Sequence, residues 1–135
     1  PNESERETYG YSKAWMHHKG RNKHHYEYWN DYSPKTKRLE GVKMPDKYFV
    51  EMVCDRIAAS KIYYGDNYTD NAPLNYFLGK KGKILINKDT EKELEYVLRM
   101  LADKGEKKVF RYLRKKVRKA RTRKVNNFIG GLARG

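Results

Sequence analysis

PDKYFVEMVCDRIAASKIYY, Pro45 to Tyr64, is the stretch whose pattern sets the fold class. Phe49, Met52, Val53, Ile57 and Ser60 recur at helical spacing and mark one buried stripe. Pro45 suits the first turn, where its missing N–H leaves no bond unmade. Asp55 falls amid Met52, Ala58, Ala59 and Ile62, a second face that is apolar and built from small residues. A carboxylate on such a face is costly unless it is paired, hydrogen-bonded or bound to a metal. The ordinary alternative is an ion pair with a neighbouring Lys or Arg. The small alanines let another helix approach closely.

Downstream, Gly65 to Ala72 is rich in turn formers, and Pro73 opens a short helix through Leu74, Tyr76, Phe77 and Leu78 that closes near Gly79. Lys80-Lys81-Gly82-Lys83 is a basic turn. It lacks the GxxxxGK[ST] pattern of a phosphate-cradling loop and reads as solvated surface. Ile84 to Ile86 is too short to separate a strand from an extended strut. Thr90 and Glu93 have capping-box spacing ahead of Leu94, Val97, Leu98 and Leu101, and Gly105 ends that helix. A last helix begins at Glu106 and carries Val109, Phe110, Leu113 and Val117. The expected core is Phe49, Met52, Val53, Ile57, Leu94, Leu98, Leu101, Phe110 and Leu113. Strand candidates are nearly absent, so the expected fold is all-α: a compact bundle of about five or six helices with a basic C-terminal helical arm.

The 135 residues suit one domain with one modest core, 38% hydrophobic and 36% charged. Residues 107–135 hold 12 basic residues and no acidic one, so nearly all of the net +14 lies there. The expected division is a mobile lead-in (1–8), a single helical domain (9–113), and a basic arm with a flexible tail (114–135), the last part fraying from Val125. Cys54 is alone, which excludes an internal disulfide framework and a cysteine-based zinc finger. No run approaches the roughly 20 apolar residues of a membrane span, and no secretory pattern opens the chain, so a cytoplasmic location is expected.

Upstream of the central helix, Ala14 to Trp29 reads AWMHHKGRNKHHYEYW. It holds all four histidines, His17, His18, His24 and His25, between the two tryptophans. Neutral imidazole is the commonest protein ligand for transition metals. Gly20 divides the stretch into two short helices, capped by Ser12 and Asn22, with Tyr26, Trp29 and Tyr32 giving the second an aromatic face. Pro34 stops that helix, and Lys35 to Lys43 is a polar connector.

This histidine block, with Met44-Pro45 and Asp55-Arg56-Ile57-Ala58-Ala59-Ser60-Lys61, resembles an uncharacterised family of bacterial and phage proteins, a domain of unknown function. The likeness covers about Tyr9 to Leu113. The family is in turn similar to the HD-domain metal-dependent phosphohydrolases, which are helical and hold one or two metals with His and Asp side chains. That resemblance implies a divalent metal held by His17 or His18, His24 or His25, and Asp55. Lys19, Arg21, Lys23 and Arg56 would then neutralise the phosphate of a phosphorylated small molecule or nucleotide. HD enzymes also carry an earlier histidine and a His-Asp dipeptide. This sequence contains no His-Asp dipeptide. The chain therefore reads as the later part of such a domain, inactive without the missing ligands.

A second class of function comes from Lys107 to Lys124, where eleven of eighteen residues are basic. Arg114, Lys115, Arg118 and Lys119 are the candidates for contacting a nucleic-acid or other polyanionic backbone. An HNH-type nuclease is set aside, because its hairpin-and-helix context and wider histidine spacing are missing.

Overall fold

The computed structural model describes Arg6 and residues 22–134. The expected lead-in (apart from Arg6), the first histidine helix, and His17, His18, Lys19 and Arg21 lie outside the described residues.

The central helix, α1, runs Asp46–Tyr64 and buries Phe49, Met52, Val53 and Ile57. A 3-10 turn, Gly65–Asn67, leads toward α2, Ala72–Lys80. Helix α3 spans Lys88–Lys104 and α4 spans Glu106–Arg134. Helix α4 packs on α1 and α3, and α2 packs on α1 and α3. Their buried faces meet in one core: Leu74 and Phe77 of α2, Leu94, Val97, Leu98 and Leu101 of α3, Val109 and Leu113 of α4. Each apolar set recurs at three- and four-residue spacing, so each helix turns one stripe inward. Of the expected core, Phe110 alone is only partly buried, packed against the cluster.

Four α-helices are present among the described residues, together with a small sheet that the sequence reading did not anticipate. Strand β1 (Asn30–Tyr32) pairs antiparallel with β2 (Leu39–Gly41), with Asp31 opposite Glu40. The expected second histidine helix shrinks to the 3-10 turn Tyr26–Tyr28, and the expected polar connector contains β2. Asp31 accounts for the change. It is buried, and its carboxylate accepts from Arg6 Nε at 2.9 Å, from Arg6 Nη2 at 2.7 Å and from the Tyr32 backbone at 2.8 Å. This charge-assisted pair holds β1 extended. Gly41 lets β2 lie against the backbone of Ile86 and Asn87, where any side chain would collide.

Two local signals resolve differently from the sequence. Asn87, not Thr90, caps α3: its Oδ1 accepts from the backbone N–H of Asp89 and Thr90 at 3.0 and 3.1 Å. Thr90 is buried instead, and its hydroxyl accepts from Met44 N–H at 3.2 Å. Gly105 does end α3, with φ 87° and its N–H on the Leu101 carbonyl. Helix α4 continues unbroken past Arg114 to Arg134, through the segment read as a tail. Lys116, within the basic run, turns inward: its ammonium lies 2.6 Å from Glu93 and 3.1 Å from Asp46, and 5.3 Å from the Phe49 ring centroid. Among the described residues no helix is long and apolar enough to cross a membrane.

Candidate metal centre and anion cleft

The segment Asn22 to Trp29 is short, irregular apart from the 3-10 turn Tyr26–Tyr28, and tightly held. The His25 N–H bonds the Asn22 carbonyl at 3.0 Å, and the Tyr28 N–H returns to the His25 carbonyl at 3.1 Å. Tyr28 and Trp29 are buried in the core and anchor the segment there. The Trp29 indole donates to the Lys23 carbonyl at 2.7 Å, which pins the residue preceding the histidine pair. The ring of Trp29 also lies 5.7 Å from that of Tyr48 on α1. The sequence therefore delivers His24 and His25 on a loop fixed at both ends.

That loop faces the middle of α1. His24, His25 and Asp55 each offer a ligand atom, and the three atoms lie within 4.8 Å of one another. The two imidazoles meet edge to face, with centroids 4.5 Å apart. Bonds of about 2.0–2.2 Å place tetrahedral ligands roughly 3.3–3.5 Å apart, so the three groups need close by little more than 1 Å to hold an ion. Two imidazoles and one carboxylate suit zinc, iron or manganese better than magnesium or calcium, and three protein ligands leave coordination positions open. Asp55 itself is exposed, as are Ala58 and Ala59. Among the described residues no second helix covers that face of α1, and Asp55 is exposed rather than buried as expected.

Around the three ligands lies a cleft of about 260 Å³, also lined by Tyr26, Glu27, Arg56, Tyr76 and Lys80. Arg56 is half-buried, its guanidinium 6.0 Å from the Tyr26 ring centroid. Burial pulls the Arg56 guanidinium below its ordinary range, and the phenols of Tyr26 and Tyr76 with the carboxylates of Glu27 and Asp55 oppose that shift. Burial and Glu27 push the Tyr26 phenol up, against the pull of Arg56. Lys80 lies 5.5 Å from the Tyr76 ring centroid, one helical turn further along α2. Ligand atoms, two cations and two phenols therefore share one opening.

Of the residues expected to bind phosphate, Arg56 lines this cleft. Lys23 does not; its ammonium sits 5.8 Å from the Tyr48 ring centroid. Lys80 and Tyr76 were not anticipated. The sequence reading closed α2 near Gly79 and left Lys80 in a solvated turn. The available signal was their four-residue spacing, which puts both on one face of a helix reaching Lys80. Arg114, Lys115, Arg118 and Lys119 are all exposed on α4.

No curated protein and no solved structure matches the chain. A family model does match residues 1–100, spanning the histidine block, the hairpin, α1, α2 and most of α3. The chain belongs to DUF5662, a family of unknown function.

Proposed function

We propose that this protein is a divalent-metal-dependent phosphohydrolase of the HD-like kind, acting on a phosphorylated small molecule in the cleft beside α1. The observation that carries the reading is the convergence of His24, His25 and Asp55 within 4.8 Å, in an opening that also holds Arg56 and Lys80. Held by His24, His25 and Asp55, a divalent cation would supply an acidified water and polarise a phosphoryl oxygen. The chain's own residues do the rest. Arg56 offers a planar fork of donors to two phosphate oxygens, and Lys80 a point charge to a third. Both neutralise charge that grows as the ester bond breaks. Tyr26 and Tyr76 flank the guanidinium and help hold it at the cleft. His17 and His18 are proposed to supply the further ligand that the upstream His-Asp motif gives in HD enzymes, without which the chain would be inactive.

Phosphate release from a panel of phosphomonoesters, with manganese, zinc or ferrous iron, tests this reading. Turnover should vanish on chelation. In Asp55→Ala it should fall by more than the roughly 10–100-fold typical of a supporting contact. Turnover unaffected by that substitution would refute the assignment.

A second reading rests on α4. Arg114, Lys115, Arg118 and Lys119 are exposed on a helix segment without acidic residues, which suits a nucleic-acid backbone. Binding through them should weaken linearly with log salt. Alanine at those four positions should flatten the slope, and His25→Ala should leave it unchanged.

A further inference from the structure

We propose that the groove continuing from the cleft along α1 is a stacking subsite for a planar ring, which makes the selected ligand a nucleoside 5′-phosphate. This proposal rests on the reading of the cleft as an anion site and adds the part of the ligand that lies outside it. The groove has a volume of about 510 Å³ and shares Asp55, Arg56 and Tyr76 with the cleft. Its other lining includes Tyr63, Tyr64 and the small residues Ala59 and Ser60.

Three features point to a ring rather than an extended chain. First, Tyr63 is 82% exposed and Tyr76 60% exposed, so two large amphipathic rings stand beside the cleft without being packed into the core. Tyr63 and Tyr64 meet nearly at right angles, centroids 5.0 Å apart, which leaves ring faces open to a third group. Secondly, Asp55, Ala59 and Tyr63 follow one another at four-residue spacing along α1. Along the helix axis Ala59 is therefore about 6 Å and Tyr63 about 12 Å from Asp55, room for a ribose to bridge between a phosphate at the cleft and a base at Tyr63. Thirdly, Arg56 belongs to both openings. Its guanidinium edge can bind phosphate while its plane stacks on a ring. Ala59 and Ser60 leave space, and the Ser60 hydroxyl can donate to or accept from a ribose hydroxyl. Every base presents a π-face to such tyrosines, so the groove selects nucleotides as a class and not one base.

Calorimetric titration of the manganese-loaded protein with AMP, UMP, ribose 5-phosphate and adenosine tests the proposal. AMP and UMP should bind more tightly than ribose 5-phosphate by roughly five- to 150-fold, the usual contribution of one stacked base. Tyr63→Ala, in the groove but outside the cleft, should remove much of that advantage and leave ribose 5-phosphate and manganese affinities unchanged, while Tyr63→Phe should keep it. Equal affinity for AMP and ribose 5-phosphate, or variants that weaken both alike, would overturn the subsite. Adenosine carries no phosphate and isolates the ring. Tyrosine-dependent adenosine binding with no ribose 5-phosphate binding would overturn the anion site and the nucleoside-phosphate assignment built on it, and retain the stacking groove alone.

Discussion

Replacing Trp29 with phenylalanine probes the link between the core and the candidate site. Trp29 is 5% exposed, and its indole holds the Lys23 carbonyl at 2.7 Å. Phenylalanine keeps the aromatic contact with Tyr48 but has no donor. Loss of that hydrogen bond removes roughly 0.5–1.5 kcal/mol. The smaller ring leaves a void of roughly 40 Å³, which at about 24 cal/mol per Å³ adds about 1 kcal/mol. The sum, roughly 1.5–2.5 kcal/mol, corresponds to a fall in Tm of roughly 5–10 °C for a chain of this size. Urea denaturation followed by far-UV circular dichroism measures it. The same variant should bind metal more weakly, because the backbone beside His24 loses its tether. Stability within 0.5 kcal/mol of the parent, the usual scatter of a neutral surface change, would refute the placement of Trp29 as the anchor of the histidine loop.

Three further outcomes follow from the packing. Leu98→Ala, at a position with no exposure, should destabilise by roughly 2–5 kcal/mol in chemical denaturation. Asp31→Ala leaves the nearly buried Arg6 guanidinium without its carboxylate and should lower stability by roughly 3–5 kcal/mol, far more than an exposed pair. Burial, then the Glu93 carboxylate that accepts its hydroxyl proton at 2.8 Å, push the Tyr112 phenol up. The folded chain thus keeps that proton to higher pH than the unfolded chain, so its stabilisation is complete below about pH 10 and fades as the pH rises further. Tyr112→Phe should flatten that alkaline decline in a pH series of denaturation curves.

The helices were legible because their buried stripes are long and regular: Phe49 to Ile57, Leu94 to Leu101, and Val109 to Leu113 each report a face directly. The hairpin was not, since NDY and LEG are three-residue strands without alternating apolar residues. What holds β1 is a contact with Arg6, 25 residues away, which no local pattern reveals. The family resemblance implied one histidine of each pair together with Asp55, whereas among the described residues both His24 and His25 lie beside Asp55. The exposure of Asp55 was not expected, because apolar neighbours on a helix imply a covering partner, and none lies on this face of α1 among the described residues. Lys80 and Tyr76 were missed for a related reason: their role depends on how α2 crosses α1, and Gly79 was read as a stop. Along α4, composition gave the charge correctly but could not separate Lys116, which Asp46 and Glu93 draw inward, from its exposed neighbours.

Calorimetric titration of metal-stripped protein with manganese and with zinc tests the central claim most directly. Saturable binding of one ion per chain is expected, lost or strongly weakened in both Asp55→Ala and His25→Ala. It should also weaken on acidification, because the imidazoles must give up their protons to bind metal. Both residues are exposed, so both variants should remain folded. Absence of binding by the folded parent chain, or binding unchanged in both variants, would contradict the account.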